Sequence, residues 1–248
     1  MIRISLEDGV RTLRLDRPEK KNALTRQMYS DLAGALETGN DDENVRCHLI
    51  CGQPDVFTSG NDIGDFLQYA GKVDMSETEV VRFLRALVGN QKPLVASLDG
   101  ITVGVGATLL MHCDMVFASP NTVISSPFVD LGLVPEAGSS LLGPQIMGHA
   151  RAFELLCLGR RFSAEKAQIA GLVNEIVDGD VDADALACAR EIAAKPPEAM
   201  AISRKLLRGD TTGLAERVEE EARIFATRLS SPETIAAFQA FMSKKAKK

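Results

Sequence analysis

Three glycines, Gly100, Gly104 and Gly106, lie in the apolar segment GITVGVGATLLMHCD, a composition suited to a site built from backbone N–H groups. A strand-like run at residues 93–98 precedes the segment, which predicts a strand, a glycine turn and the start of a helix. The first N–H groups of a helix lack partners within it, and the helix dipole adds positive charge there. Either these groups hold a ligand that carries negative charge, or the glycines only permit close packing.

Three common site types do not fit this segment or its surroundings. A dinucleotide fingerprint needs a glycine where Leu109 stands, and a phosphate loop needs Gly-Lys-Ser/Thr, but no lysine occurs between Lys92 and Lys166. A serine hydrolase would place its nucleophile in a G-x-S-x-G elbow, which neither Ser139 nor Ser140 occupies. Nucleotide binding and serine hydrolysis are therefore excluded.

Composition narrows the class of protein further. The 248 residues are 45% hydrophobic, enough for one large domain or one domain with an appendage. A net charge of −6 argues against a nucleic-acid partner, and the basic run at residues 244–248 is typical of a solvated tail. No stretch has the length and apolarity of a membrane span, and the first residues lack a signal-peptide pattern.

The five cysteines include no C-x-x-C pair, and the chain has three histidines. Each cysteine falls in an apolar run, which indicates buried reduced thiols rather than disulfides or a metal site. We expect no metal and a cytoplasmic location.

Hydrophobic periodicity and turn residues predict strands first and helices later. Predicted strands are a hairpin turned at Asp8-Gly9 with its second strand at 10–15, then 45–50, 93–98, 115–118, 122–125 and 172–177. Predicted helix signals are an N-cap at Thr25, a Ser76–Glu79 capping box, starts at Ser163, Asp182 and Pro196-Pro197, an end at Gly171, and amphipathic helices at 214–229 and 232–242. The pattern indicates an α/β core of strand-strand-helix units and a helical C-terminal region that packs on the core or on a neighbouring subunit.

Five segments, taken in order, resemble the crotonase or enoyl-CoA hydratase/isomerase superfamily. They are LDRPEKKNAL at 15–24, FTSGNDI at 57–63, residues 93–114 with the glycine turn, LGLVPEAGSS at 131–140, and SAEKAxxxGLV at 163–173. The resemblance implies an α/β spiral of ββα units over residues 1–195 and a helical oligomerisation region over 196–248. It also implies a homotrimer or hexamer and an acyl-CoA thioester as substrate, with no separate cofactor because coenzyme A is part of that substrate.

Carried over by position, the family's oxyanion-hole donors fall on the backbone N–H groups of Asn61 and Val105. They would hold the thioester oxygen as it becomes an enolate, and Gly104 and Gly106 would let the thioester approach. The coenzyme A and substrate contacts fall on Lys21, Ala23, Leu24, Ser59, Gly60, Asp62, Ile63, Gly104 and Phe128. Two alternatives stay open: Lys21 contacts a phosphate or is a solvated loop lysine, and Asp62 contacts the ligand or turns the loop.

Hydratases of this family carry two glutamates, and here those positions are Thr108 and Phe128. Glu136 remains, in a PExxSS context that resembles the Δ3,Δ2-enoyl-CoA isomerase branch. One carboxylate suffices there: it takes a proton from C2 of the acyl chain and returns it at C4, without consuming water. The apolar neighbours of Glu136 in sequence predict a raised pKa.

Three rival functions are weighed against the isomerase. One is another crotonase-family activity such as hydration, in which Asp130 and Thr108 would assist water. Another is an acyl-CoA-binding protein without catalysis, in which Glu136 would be a solvated loop acid or a charge at a helix start. An RNA-binding role is disfavoured by the acidic balance.

Overall fold

A computed structural model describes residues 1–66 and 77–245, whose strands form two sheets. The six-stranded sheet has the order β1-β2-β3-β5-β7-β10, with β1 Ile2–Glu7, β2 Val10–Leu15, β3 Cys47–Cys51, β5 Leu94–Leu98, β7 Met115–Ala118 and β10 Glu175–Ile176. The four-stranded sheet has the order β4-β6-β8-β9, with β4 Val56–Thr58, β6 Ile101–Val103, β8 Val123–Ser125 and β9 Phe162–Ser163. Only the β1–β2 and β8–β9 pairs are antiparallel among these strands.

The described helices alternate with the strands at first and follow one another later. They are α1 Arg26–Asp41, α2 Ile63–Phe66, α3 Glu79–Gly89, α4 Val105–Thr108, α5 Ser139–Met147, α6 His149–Leu156, α7 Ala164–Ile169, α8 Val181–Ala194, α9 Pro197–Arg208, α10 Thr212–Leu229 and α11 Pro232–Lys245. As predicted, Thr25 and Ser163 cap α1 and α7 through their hydroxyls, and Pro197 is the first residue of α9. None of these described helices has the length and apolarity needed to cross a membrane.

Strand-strand-helix units repeat along the core. In β3-β4, β5-β6 and β7-β8, the first strand joins the six-stranded sheet and the second joins the four-stranded sheet, before the chain turns into helix. Strands β3 and β5 are buried along their whole length, as expected for parallel strands covered on both faces. The predicted α/β spiral of ββα units is therefore confirmed.

Two apolar clusters cover the faces of the larger sheet. The main cluster joins α1, α3 and the glycine segment, and it includes Leu32, Phe83 and Leu98. A smaller cluster lies between α8 and the sheet, where Ala185 and Ala189 pack against strand side chains. Small residues on α8 allow its backbone to approach the sheet closely, so the helix covers that face of the six-stranded sheet.

Several predicted boundaries are wrong in detail. The three glycines do not share one turn: Gly100 turns β5 into β6, whereas Gly104 immediately precedes α4, with strand β6 between them. Asp182 does not start α8, because Asp180 caps it and accepts a hydrogen bond from Ala183 N. Thr78 caps α3 through Val81 N, and the Ser76 of the predicted capping box lies outside the described residues. The strand predicted at 172–177 is reduced to β10.

The cysteines form no disulfide among the described residues, and only Cys47 and Cys51 are fully buried. Helix α10 packs on α3 and α5 and so belongs to the same body as the core. The division at residue 195 and the oligomeric state stay predictions.

Candidate active site

Two loops on which the family resemblance predicts coenzyme A contacts are hydrogen-bonded to each other. Leu24 N donates to Gly60 O at 2.8 Å, and Asp62 N donates to Leu24 O at 2.9 Å. Ser59 N donates to Lys21 O at 2.9 Å. Leu24 and Asn61 form an isolated parallel bridge, so residues 21–24 and 59–62 are held together by backbone hydrogen bonds.

Hydrogen bonds from buried polar side chains hold this pair of loops in place. Asn22 is fully buried in a left-handed conformation, and its amide donates to Val56 O at 3.1 Å and Phe57 O at 3.0 Å. Thr58 Oγ1 donates to Asn22 O at 2.6 Å. Because buried amides and hydroxyls are costly when unpaired, these bonds specify one loop geometry.

Asp62 is engaged within the protein. Its Oδ2 accepts from Arg17 Nη1 at 2.7 Å, and its Oδ1 accepts from Gly64 N at 3.0 Å, at the start of α2. These bonds and the Arg17 charge lower the pKa of Asp62 against the effect of burial. Arg17 also donates to Ala23 O at 2.9 Å and so fastens both loops. The contacts support the loop-turning alternative for Asp62.

Asn61 lies at the end of this paired segment and is partly exposed. Its side-chain Oδ1 accepts a hydrogen bond from the buried hydroxyl of Tyr29, whose ring packs against Phe83. Within residues 1–66 and 77–245, its backbone N–H has no hydrogen-bond acceptor. Tyr29 therefore fixes the orientation of a residue whose N–H is free to bind a ligand.

Val105 provides the second such N–H. As the first residue of α4, it has no acceptor within the helix, and the described residues offer it none elsewhere. Gly104 has φ +61° and ψ −120°, a conformation that an L side chain rarely adopts. A Cβ on Gly104 would lie 3.8 Å from Gly60 Cα, so the turn that carries Val105 touches the loop that carries Asn61.

Gly106 has a packing role in the structure. It is buried, and a Cβ built there would lie 2.3 Å from Thr58 Cγ2. The absent side chain allows α4 to pack closely on β4, and the approach of a thioester at Gly106 stays a prediction. The sequence alone could not separate Gly104 from Gly106, because both precede or begin the same short helix.

Glu136 is buried, with 5% of its surface exposed, and faces α4. Its Oε1 accepts a 2.7 Å hydrogen bond from Thr108 Oγ1, which is itself 3.3 Å from Val105 O. No hydrogen bond to Oε2 is present within the described part of the chain. The carboxylate is thus oriented through one oxygen, by a residue of the helix that begins at Val105.

Burial raises the pKa of Glu136 to about 7. The hydrogen bond from Thr108 opposes the shift, and the charge of Glu221 adds to it. A carboxyl group whose pKa lies near neutral pH can accept and return a proton with similar ease. The raised pKa expected from the apolar sequence context is confirmed.

The structure brings most predicted site residues into one region. Lys21, Ala23, Leu24, Ser59, Gly60, Asn61, Asp62 and Ile63 lie in the paired loops or at the start of α2, next to Gly104 and Val105, and Thr108 joins Glu136 to this group. Lys21 is exposed, so its two alternatives stay open. Phe128 is buried in the main apolar cluster that also contains Val105.

Sequence reasoning missed four residues that hold the site: Arg17, Tyr29, His112 and Glu221. His112 is buried, and its Nε2 lies 2.7 Å from Ala137 O, to which it donates. Glu221 is 5% exposed, and its neighbours on the buried face of the amphipathic helix α10 are apolar. A glutamate inside an apolar stripe is the one signal in the sequence that could have marked it.

No group of three or more histidine, cysteine, aspartate or glutamate side chains suited to a metal occurs in the described parts of the chain.

The chain has a ββα spiral and, among its described residues, two backbone N–H groups without acceptors and a buried glutamate, and it also matches a family model. The Enoyl-CoA hydratase/isomerase model aligns with residues 5–248, so the chain belongs to that family. A rat protein named Enoyl-CoA delta isomerase 2 is 34% identical over 252 residues, covering 99% of this chain and 64% of the rat protein. The chain therefore spans less than two thirds of that relative.

Two solved structures are similar throughout. "Structure of Pseudomonas aeruginosa OdaA" matches with a TM-score of 0.92 and 47% identity, over 97% of this chain and 98% of that one. An enoyl-CoA hydratase/isomerase from Pseudoalteromonas atlantica T6c matches with a TM-score of 0.91 and 38% identity, over 98% and 97%. Both similarities agree with the fold described above.

Proposed function

We propose that this chain is a Δ3,Δ2-enoyl-CoA isomerase in which Glu136 is the acid-base group. The observation that carries the proposal is a buried Glu136 whose Oε1 is held by Thr108 of α4 and whose Oε2 has no hydrogen-bond partner among the described residues. The isomerase name of the rat relative supports the same activity.

The proposed reaction needs one group that takes and returns a proton. Glu136 removes a proton from C2 of a 3-enoyl thioester, the electrons delocalise into a dienolate, and the protonated carboxyl returns the proton at C4. The double bond moves from C3–C4 to C2–C3, and no water is consumed. A pKa of about 7 suits both halves of this cycle.

The dienolate oxygen would be held by the N–H groups of Asn61 and Val105. Both are unpaired within the described residues and lie on loops in contact with each other. Loss of one such donor costs about 3 kcal/mol of transition-state stabilisation in other enzymes. Two backbone donors can therefore supply a large part of the catalysis, whatever the side chains at 61 and 105.

The rival hydratase needs a second acid-base group to manage water. Two carboxylates are buried among the described residues, and the second, Glu221, has both oxygens engaged by Gly138 N and Ser140 N. Asp130, the alternative helper, is exposed. These contacts favour the one-base reaction.

The substrate class proposed is an acyl-CoA thioester, which fits the paired loops at 21–24 and 59–63. The exposed Ile202, Leu206 and Leu207 on α9 support a contact between subunits in a trimer or hexamer. The assembly and the cytoplasmic location stay predictions.

The test is to incubate the purified protein with 3-enoyl-CoA and, separately, with 2-enoyl-CoA, following both double-bond migration and hydration. We expect migration from C3 to C2 and no 3-hydroxyacyl-CoA. Hydration without migration would favour the hydratase, and binding without either reaction would favour a catalytically silent homologue. Either result would overturn the proposed function.

A further inference from the structure

Helix α5 begins immediately after the Glu136 loop, and its cap does not come from its own sequence. Its N-cap residue is Gly138, which has no side chain to accept the free N–H groups. Glu221 of α10 supplies the acceptor instead: Oε2 accepts from Gly138 N at 2.6 Å, and Oε1 accepts from Ser140 N at 3.0 Å. A C-terminal helix thus reaches the segment that carries Glu136.

Burial of the Glu221 carboxyl group costs folding free energy, which a purely structural residue at this position would avoid. It is buried on the apolar stripe of α10, between Val218 and Ala222, and burial raises its pKa. Buried charges require compensation. The two N–H groups, the dipole of α5 and the guanidinium of Arg217, which also donates to Ser140 Oγ at 3.1 Å, provide it.

The chain between Glu136 and α5 is strained and is held from two sides. Ala137 adopts φ +64°, and its carbonyl oxygen accepts from His112 Nε2. Gly138 has φ +68°, and a Cβ there would lie 2.4 Å from Leu214 Cδ1, which shows how closely α10 approaches. A non-glycine residue persists in this conformation only where its surroundings hold it.

We propose that Glu221 is a positioning residue for Glu136, fixing its loop through Gly138 and Ser140 and acting on its carboxyl group through negative charge. This deepens the isomerase function and rests on it. Among the described residues, four groups face Glu136 or its loop: Thr108 from α4, His112 from the 3-10 turn after α4, and Glu221 and Arg217 from α10. His112 is neutral at pH 7 because burial lowers its pKa to about 4.

The sign of the electrostatic effect follows from these groups. The charge of Glu221 disfavours ionisation of Glu136 and adds to the pKa increase caused by burial. Removing that charge lowers the pKa of Glu136. The acid limb of the rate profile, where the base becomes protonated, therefore moves to lower pH.

The test is Glu221→Gln, assayed with 3-enoyl-CoA. The amide oxygen can accept from one N–H, but the amide nitrogen faces the other donor. We expect the acid limb to move down by about 0.5 to 1 pH unit. We also expect kcat above the limb to fall by about tenfold because the base is displaced, with KM changed by less than about twofold.

Two further variants separate positioning from general stability. Glu216→Gln makes the same change at an exposed position of α10 and should leave the pH profile and kcat unchanged. Glu221→Asp keeps the charge but shortens the side chain, so kcat should fall while the acid limb stays in place. If Glu221→Gln does not fold, Glu221→Asp still tests the positioning role through its kcat. A wild-type pH profile in Glu221→Gln, or equal shifts in Glu221→Gln and Glu221→Asp, would overturn the proposal.

A direct titration distinguishes failure of this inference from failure of the isomerase function. In protein labelled with 13C at glutamate carboxyl carbons, the Glu136 resonance is identified by its loss in Glu136→Gln. Its titration midpoint should be lower in Glu221→Gln than in the wild type. An unchanged midpoint contradicts the proposal, even if the wild type proves inactive on 3-enoyl-CoA.

Discussion

Glu136 and Thr108 are joined by a short hydrogen bond inside the protein, and their identities favour one proton carrier. Thr108 donates to Oε1 and lies on α4, whose first N–H belongs to Val105. A hydroxyl at this position orients a carboxylate without adding a second ionisable group. The Glu136 residue was predictable because the PExxSS context singled it out, whereas its bond to Thr108 was not, because it joins residues 28 apart in the chain.

Thr108→Val tests the electrostatic part of this arrangement. The substitution removes a hydrogen bond that lowers the pKa of Glu136, so that pKa should rise above about 7. The acid limb of kcat against pH should then move up by roughly 0.5 to 1 unit, opposite in direction to Glu221→Gln. Thr102→Val is a matched buried control, because among the described residues Thr102 Oγ1 hydrogen-bonds with Gly100 O alone, at 3.5 Å. An acid limb that stays in place or moves to lower pH would contradict the role of the Thr108 hydrogen bond in lowering the pKa of Glu136.

Among the elements, β4 and α4 must approach closely to bring the loop that carries Asn61 and the turn that carries Val105 together. Gly106 allows this close approach because it has no side chain to clash with Thr58, and Gly104 allows it by adopting positive φ. The sequence predicted a glycine turn before a helix, but not strand β6 within it. Three residues of strand are too short for alternation to indicate one, and only the partners β4 and β8 define it.

Gly106→Ala should therefore destabilise the protein. A Cβ would lie 2.3 Å from Thr58 Cγ2, which must move within a packed core, at a cost of about 1 to 3 kcal/mol in the free energy of unfolding. Gly89→Ala, at the end of α3, is the matched control, because a Cβ there meets nothing within 4 Å. It should be neutral or slightly stabilising. Urea unfolding measures both, and equal effects would refute the packing role of Gly106.

Helix caps also show that the sequence predicts local contacts but not contacts between distant residues. Thr25 and Ser163 were predictable because each cap acts on its own helix. The cap of α5 comes from Glu221, which is 83 residues away from Gly138. Local patterns carry no information about such a partner, so the support of the Glu136 loop required the structure.

At the scale of the whole molecule, the buried His48 lacks the hydrogen-bond partners that the buried carboxylates Glu136 and Glu221 have within the described residues. His48 on β3 is fully buried against Gly39 of α1, and neither ring nitrogen has a partner within the described residues. Burial, with nearby cationic side chains, lowers its pKa to about 3. Its isolation was not predictable, since a histidine between Cys47 and Leu49 reads only as part of an apolar strand.

His48→Leu should reduce acid sensitivity. Below pH 6.5 the unfolded chain binds a proton at His48 that the native state does not, so stability falls with decreasing pH down to about 3. Relative to the wild type, the variant should gain about 2 kcal/mol between pH 8 and pH 5. His149→Leu changes an exposed histidine and is the control. Denaturant unfolding at pH 8 and pH 5 measures the free energy of unfolding of both variants. Equal gains in the two variants would contradict the assignment of this pH dependence to His48.

The most direct test of the central claim is Glu136→Gln, which keeps the size of the side chain and removes its ability to accept the C2 proton. We expect kcat on 3-enoyl-CoA to fall by about 10³-fold or more, with binding of a non-reacting acyl-CoA changed by less than about threefold. Asp130→Asn, at an exposed neighbouring acid, should leave turnover intact. Full turnover by Glu136→Gln would contradict the role of Glu136 as the proton carrier.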